Sequence, residues 1–156
     1  MRRRFILMSV LIVAFLLGAC DAKPLEQNVQ HVFSGESEHW MLEHYEVNVD
    51  SKKHFIGNGK LRMKGQDEYA ANHLTFTTYF TIQGEERPVH AGSVAGDSIN
   101  IATFETGSIG SDEANDGKNA LQFEDIERIY VEVQWEELGD PTFHVETIQL
   151  YEKNRK

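Results

Sequence analysis

Seven histidines, 25 aspartates and glutamates and a single cysteine are the groups of this chain whose types could do chemistry. His31, His39, His44, His54, His73, His90 and His144 invite a metal reading, but their spacing opposes it. His39 and His44 stand five residues apart, which puts them on opposite faces of a strand and about 140° apart on a helix. No His-Glu-x-x-His occurs. His73 is expected on a solvent face with Thr75, and His144 on one with Glu146. Residues 107–119 bring together Asp112, Glu113, Asn115, Asp116 and Gly117, oxygen-rich enough to suggest calcium. An EF-hand count from Asp112 places Asp116 and Gly117 correctly but leaves Ala114 at position three and Phe123 at position twelve, so a solvated loop is the plainer reading. Hydrolytic chemistry fares no better. No Gly-x-Ser-x-Gly surrounds Ser93, Ser108 or Ser111. Glu36 with Glu38, and Glu136 with Glu137, are pairs that so acidic a chain produces by chance. No glycine-rich phosphate loop followed by Lys-Ser or Lys-Thr is present. The expectation is therefore no catalytic residue, no metal ligand and no cofactor.

The cysteine differs, because its surroundings are specific. Arg2, Arg3 and Arg4 precede an apolar run over residues 5–17, which is shorter than the roughly 20 residues a spanning helix needs and has the flanks of a secretory signal. Leu17-Gly18-Ala19-Cys20 closes that run with small residues immediately before the thiol. These residues resemble the lipobox of a bacterial lipoprotein signal. The resemblance implies cleavage before Cys20 and transfer of a diacylglyceryl group to its sulfur. A further acyl chain on the new amino terminus would complete an anchor of the kind that holds stably when two chains are buried, each CH₂ contributing about 0.8 kcal/mol. Asp21 resembles the residue that favours inner-membrane retention in enterobacterial sorting, should the host have an outer membrane. The expected location is the extracytoplasmic face of the cell membrane.

Removal of residues 1–19 takes away three arginines and no acid, leaving 12 Lys and Arg against 25 Asp and Glu, a formal charge of −13 in place of −10. Nucleic acid and the surface of anionic lipid both reward a basic patch, so neither is an expected partner apart from the membrane contact through the lipid on Cys20. With that sulfur acylated, no disulfide and no thiol chemistry remain. The elements behind the anchor must fold by ordinary burial, and the 137 residues left suit one domain.

Residues 21–33, with Pro24 and only scattered apolar side chains, read as a tether that would reach about 40 Å if extended. Beyond it the apolar period is two. Leu74, Phe76, Thr78, Phe80 and Ile82 alternate with Thr75, Thr77, Tyr79 and Thr81, and Ile129, Val131, Val133 and Trp135 alternate with Tyr130, Glu132, Gln134 and Glu136. Weaker strands are expected near 39–49, 59–64, 89–94, 98–105 and 142–152. Gly57-Asn58-Gly59 and Gly139-Asp140-Pro141 read as hairpin turns, with Gly84 and Gly96 at two further junctions. Both the first and the last strand change apolar phase midway: Trp40 and Leu42 give way to Tyr45, Val47 and Val49, and Phe143 and Val145 to Ile148 and Leu150. A bulge or a change of sheet explains this, against a competing helical turn over Trp40, Met41, His44 and Tyr45.

The expected organisation is a signal peptide at 1–19, a lipidated amino terminus and tether at 20–33, and an all-β domain at 34–156. That domain is an antiparallel β-sandwich, immunoglobulin-like, of about seven strands. Phe33-Ser34-Gly35-Glu36-Ser37 followed by Trp40, a strand and a glycine-rich turn is similar to small uncharacterised lipoproteins of Gram-positive bacilli, which implies no known activity. The function expected is non-catalytic binding of an envelope protein or cell-wall component. The alternatives are a lipoprotein that handles calcium or a transition metal, and a small envelope hydrolase. Cys20→Ala should abolish incorporation of labelled palmitate and move the protein out of the membrane fraction; unchanged labelling would remove the lipoprotein reading.

Overall fold

A computed structural model describes residues 30–49, 54–111 and 121–154. Cys20 and most of the acidic 107–119 segment lie outside them. The described residues form ten antiparallel strands: β1 (His31–Glu36), β2 (Trp40–Val49), β3 (His54–Gly57), β4 (Lys60–Met63), β5 (Ala70–Ile82), β6 (Glu85–Asn100), β7 (Thr103–Glu105), β8 (Ser108–Ser111), β9 (Ile126–Glu137) and β10 (Phe143–Glu152). A single 3-10 turn, Phe123–Asp125, leads into β9. Among the described residues no helix is long and apolar enough to cross a membrane.

The expected antiparallel sandwich is the architecture. One sheet runs β7-β4-β2-β3-β8 with β1 on the free side of β2, and the other runs β10-β9-β5-β6. Because β3 and β4 both pair with β2, and β7 and β8 with β4 and β3, each sheet is four ribbons wide. Eight ribbons, four facing four, replace the seven of a constant-type immunoglobulin domain.

The two clearest sequence segments form the centre of the second sheet. Leu74, Phe76, Thr78 and Phe80 of β5 point inward beside Trp135, Val133, Val131 and Ile129 of β9, and all eight are buried. Across from them Trp40, Leu42, Tyr45 and Val47 of β2 are fully buried. At roughly 25 cal/mol per Å² of apolar surface, this interdigitation is the main favourable term of the fold.

The phase change expected in β2 is present and is a strand, not a helical turn. His44 takes a left-handed φ of 55°, so its ring stays in solvent and Tyr45 turns inward. Asn58 (φ 58°) and Gly107 (φ 63°) stand in line with it on the neighbouring ribbons. Gly57-Asn58-Gly59 is thus not a hairpin turn but part of a crease that runs across three ribbons. Each ribbon exchanges its inward set there, Leu42 for Tyr45, Leu61 for Ile56 and Phe104 for Ile109, so the pairs Glu43↔Lys60 and Glu46↔Gly57 keep one register through the break. Gly57 is required at this crossing: at φ 129° a Cβ would sit 2.3 Å from the Gly107 carbonyl oxygen. β1 has no such residue and slips by one against β2 between Phe33 and Gly35.

Three other expectations are corrected. β1 begins at His31, inside the stretch read as tether, because Phe33 packs against Phe123 and Tyr151. Gly96 lies within a continuous β6, while Gln83 and Gly84, both at positive φ, make the β5–β6 turn. In β10 the phase does not change between Val145 and Ile148. His144, Glu146 and Ile148 all face inward, and Phe143 and Val145 are 55% and 52% exposed on the outer side. The β9–β10 turn over Gly139-Asp140-Pro141 is as expected.

Tyr45 reaches from the first sheet into the second. Its hydroxyl lies 2.7 Å from Thr78 Oγ1 and 2.7 Å from His90 Nδ1. The Tyr45 hydroxyl thus bridges the Thr78 hydroxyl and the His90 imidazole, with the Thr106 backbone beside the ring. Burial raises the Tyr45 pKa far above that of a free phenol, and burial lowers that of His90, so both are neutral. Tyr45→Phe leaves buried polar atoms short of a partner and should cost about 1–3 kcal/mol in urea denaturation. The unfolded chain binds a proton on His90 before the folded one does. Stability from this group is therefore full above about pH 6.5 and lost as pH falls below it. His90→Gln should lower the urea midpoint at pH 7.5 and flatten the midpoint's dependence on pH between 7.5 and 5.

Candidate functional site

The sandwich has two ends of different chemistry. Described structure enters at Gln30 and His31, beside Val47, at the end that also carries Phe123, Tyr151 and the β5–β6 turn. The six residues of β1 lead about 20 Å to the opposite end. There the β1–β2 and β9–β10 hairpins meet.

Glu146 is the centre of that meeting. It projects inward from β10, its side chain only 15% exposed, and reaches residues more than a hundred positions earlier. Oε2 accepts from the Ser37 hydroxyl at 2.6 Å and from the His39 backbone N–H at 3.0 Å, while Oε1 pairs with His39 Nδ1. The close approach of β1 to β10 depends on Gly35, where a Cβ would lie 2.5 Å from the Gln149 carbonyl oxygen. The Glu146 carboxyl is held below its usual range: burial works against this, and the hydrogen bonds from Ser37 and His39 with the His39 charge outweigh it. His39 is raised, chiefly by its bond to Glu146. Each group thus favours the charged form of the other.

Trp135 forms the floor. His144 stacks on it at 5.1 Å with an interplanar angle of 19°, His39 lies tilted at 6.1 Å, and Trp40 meets it edge-on at 5.6 Å. Tyr69 donates to Glu137 Oε1 at 2.5 Å, and His144 Nε2 lies 3.5 Å from the same oxygen. Partial burial and the Glu137 carboxylate push the Tyr69 pKa up to about 12, so it remains a donor. At this end two imidazoles, two carboxylates and a phenol gather around a buried indole. Lys64 is the near cation, and it is spent on the Ser37 carbonyl and Glu36.

The seven histidines therefore divide by environment. His39 and His144 share this site although the sequence separates them by 105 positions. His144 is not on a solvent face with Glu146, as expected, but inside with it, because Ile148 fixes the inward phase of β10. His73 does lie on the outer face, with Nε2 2.6 Å from Thr75 Oγ1 and its ring edge-on to Phe143. His90 is a core residue, His44 marks the crease, and His31 stacks on Phe123 at 3.7 Å. His54 lines a cavity of about 310 Å³ between the sheets at the other end, with Val49, Ile56, Phe80, Val89 and Ile109. Sequence reasoning missed Ser37 and Tyr69, took Glu137 only as half of a chance carboxylate pair and set Glu146 on a solvent face. One signal pointed to Glu146: its even-numbered phase with Ile148.

No relative emerges. No family model matches the chain, and no curated protein or solved structure matches it. The Glu36–Glu38 and Glu136–Glu137 pairs do not converge. Glu36 pairs with Lys64, and Glu136 sits on the outer face opposite Phe143 while Glu137 joins the site.

The His39–Glu146 pair contributes in full between about pH 4.5 and about pH 6.5, the ordinary values of a carboxyl and an imidazole. Above about pH 6.5 the contribution fades as pH rises through the raised pKa of His39, and below about pH 4.5 it fades as pH falls through the lowered pKa of Glu146. In an NMR titration His39 should therefore titrate above 6.5, and in Glu146→Gln it should return toward 6.5. An unchanged midpoint in the variant would show that Glu146 is not its partner.

Proposed function

We propose that the chain is a lipoprotein held by acyl chains on Cys20 at the extracytoplasmic face of the cell membrane. Its sandwich acts there as a non-catalytic binding domain. One observation carries the binding reading. The β9–β10 hairpin turns its polar residues His144 and Glu146 inward and leaves Leu138, Phe143 and Val145 more than half exposed, at the end farthest from where the chain enters the domain.

Ordinary folding would bury those three apolar side chains and expose the imidazole and the carboxylate. Their reversal makes an apolar rim beside a charged cleft, the combination of anchor and orienting groups that protein partners use. The tether gives this end its reach. Nine residues, 21–29, separate the anchoring cysteine from Gln30, and the ten steps from one to the other span about 33 Å when extended, so the far end of the sandwich stands clear of lipid headgroups. An envelope protein or cell-wall component is the partner class that position offers. Catalysis is not favoured, because the Glu146 oxygens, the Ser37 hydroxyl they hold and the Tyr69 hydroxyl are committed to fixed internal bonds.

Photocrosslinking side chains placed at Phe143 and at Val145 of the anchored protein in living cells should give a discrete adduct. The double variant Phe143→Ala, Val145→Ala should bind the same partner at least about tenfold more weakly with an unchanged melting temperature. Adducts formed only from the opposite end, for example at Gln83, would overturn the assignment of the binding end.

A further inference from the structure

We propose that Glu38, His39 and Glu146 form a site for one divalent transition-metal ion, with zinc as the probe. This deepens the reading of the far end as a binding end by naming a ligand for it, and does not depend on the anchor. The three side chains each offer a donor atom, and these atoms all lie within 4.8 Å of one another. An ion about 2.0–2.2 Å from each donor fits that spacing after small side-chain rotations.

The donor set selects the class of ion. One imidazole and two carboxylates suit zinc and its first-row neighbours, whereas calcium and magnesium prefer oxygen alone. Three protein ligands leave a fourth position for water or for a group from a partner. The surroundings are built in the manner of a metal site. Glu146 Oε2 is fixed by Ser37 and by the His39 N–H, which aims Oε1 at His39 Nδ1, and the His39 ring rests against Trp135. Among the described residues no lysine or arginine pairs with Glu38, Glu137 or Glu146, so the local field favours a cation. The ion would take the place of the His39–Glu146 proton and join the β1–β2 hairpin to β10 more firmly than the hydrogen bond does.

The test uses the full chain, without a histidine tag, purified in detergent and stripped with chelator. Calorimetric titration with zinc chloride should give one ion per chain, and saturating zinc should raise Tm by about 5 °C or more. Glu38→Gln, at an exposed position, should keep the metal-free Tm and bind zinc at least about tenfold more weakly; His39→Ala should bind zinc at least as weakly while also lowering the metal-free Tm through loss of its bond to Glu146, and Ser37→Ala should weaken binding by a smaller factor. Glu36→Gln, on the same hairpin but paired with Lys64, should bind as the parent does. No uptake at 1 mM zinc, about the weakest affinity that would count, uptake unaffected by His39→Ala, or uptake abolished by Asp112→Asn with Asp116→Asn would each overturn the proposal. If zinc fails while crosslinks at Phe143 persist, the metal site falls and the binding end stands; the converse result leaves the metal site and removes the partner surface.

Discussion

Tyr45 places a hydroxyl in the middle of an apolar sandwich, where a polar atom without partners is costly, and the packing around it is arranged to supply two. Thr78 comes from β5, His90 from β6, and the Thr106 backbone behind His90 from the first sheet again. These polar contacts therefore run from one layer to the other and back. Burial of hydrocarbon is non-directional and would accept sheets slid by a residue, whereas this sequence of hydrogen bonds accepts one alignment. The crease serves the same end. Without the left-handed turn at His44, the imidazole would face the core and Tyr45 would face water.

The geometry at the far end inherits that alignment. Glu146 sits on β10 two residues before buried Ile148, and the inward phase that Ile148 imposes carries the carboxylate toward the β1–β2 hairpin. Gly35 lets the two edges approach until Ser37 and His39 are within hydrogen-bonding reach. A charged side chain thus closes the mouth of a hydrophobic sandwich, and its desolvation is offset by three donors rather than by a lysine or arginine. Trp40 shows the opposite economy: fully buried, its indole N–H has no hydrogen-bond partner, and packing alone holds it.

How much of this was legible follows from how local each signal is. β5 and β9 were clear because long alternation with β-branched and aromatic residues has one meaning when both faces are sampled many times. The phase change in β2 was also visible, since Trp40-x-Leu42 and Tyr45-x-Val47-x-Val49 cannot share a face without a bulge. β10 misled for a physical reason. Phe143 and Val145 are apolar and exposed, so hydrophobicity argued for the wrong face until Ile148 was set against them. Gly57-Asn58-Gly59 has the composition of a tight turn, and only its neighbours, His44 on one side and Gly107 on the other, make it a crease. The meeting of Ser37 and His39 with Glu146 is a contact between distant stretches, and nothing in the spacing of single residues encodes it.

The crease also bears on how such a sequence can change length. His44, Asn58 and Gly107 lie on three ribbons joined side by side, and each shifts its ribbon's inward set in step with the others. Loss of one residue from a single ribbon would leave that strand facing the wrong way past the break, against two neighbours still in phase. Loss of one residue from all three would restore a common phase in a flatter sheet, though Tyr45 would then need new partners. Deletions tolerated in this half of the sandwich should consequently come in matched sets, so that three positions far apart in sequence behave as a single hereditary character.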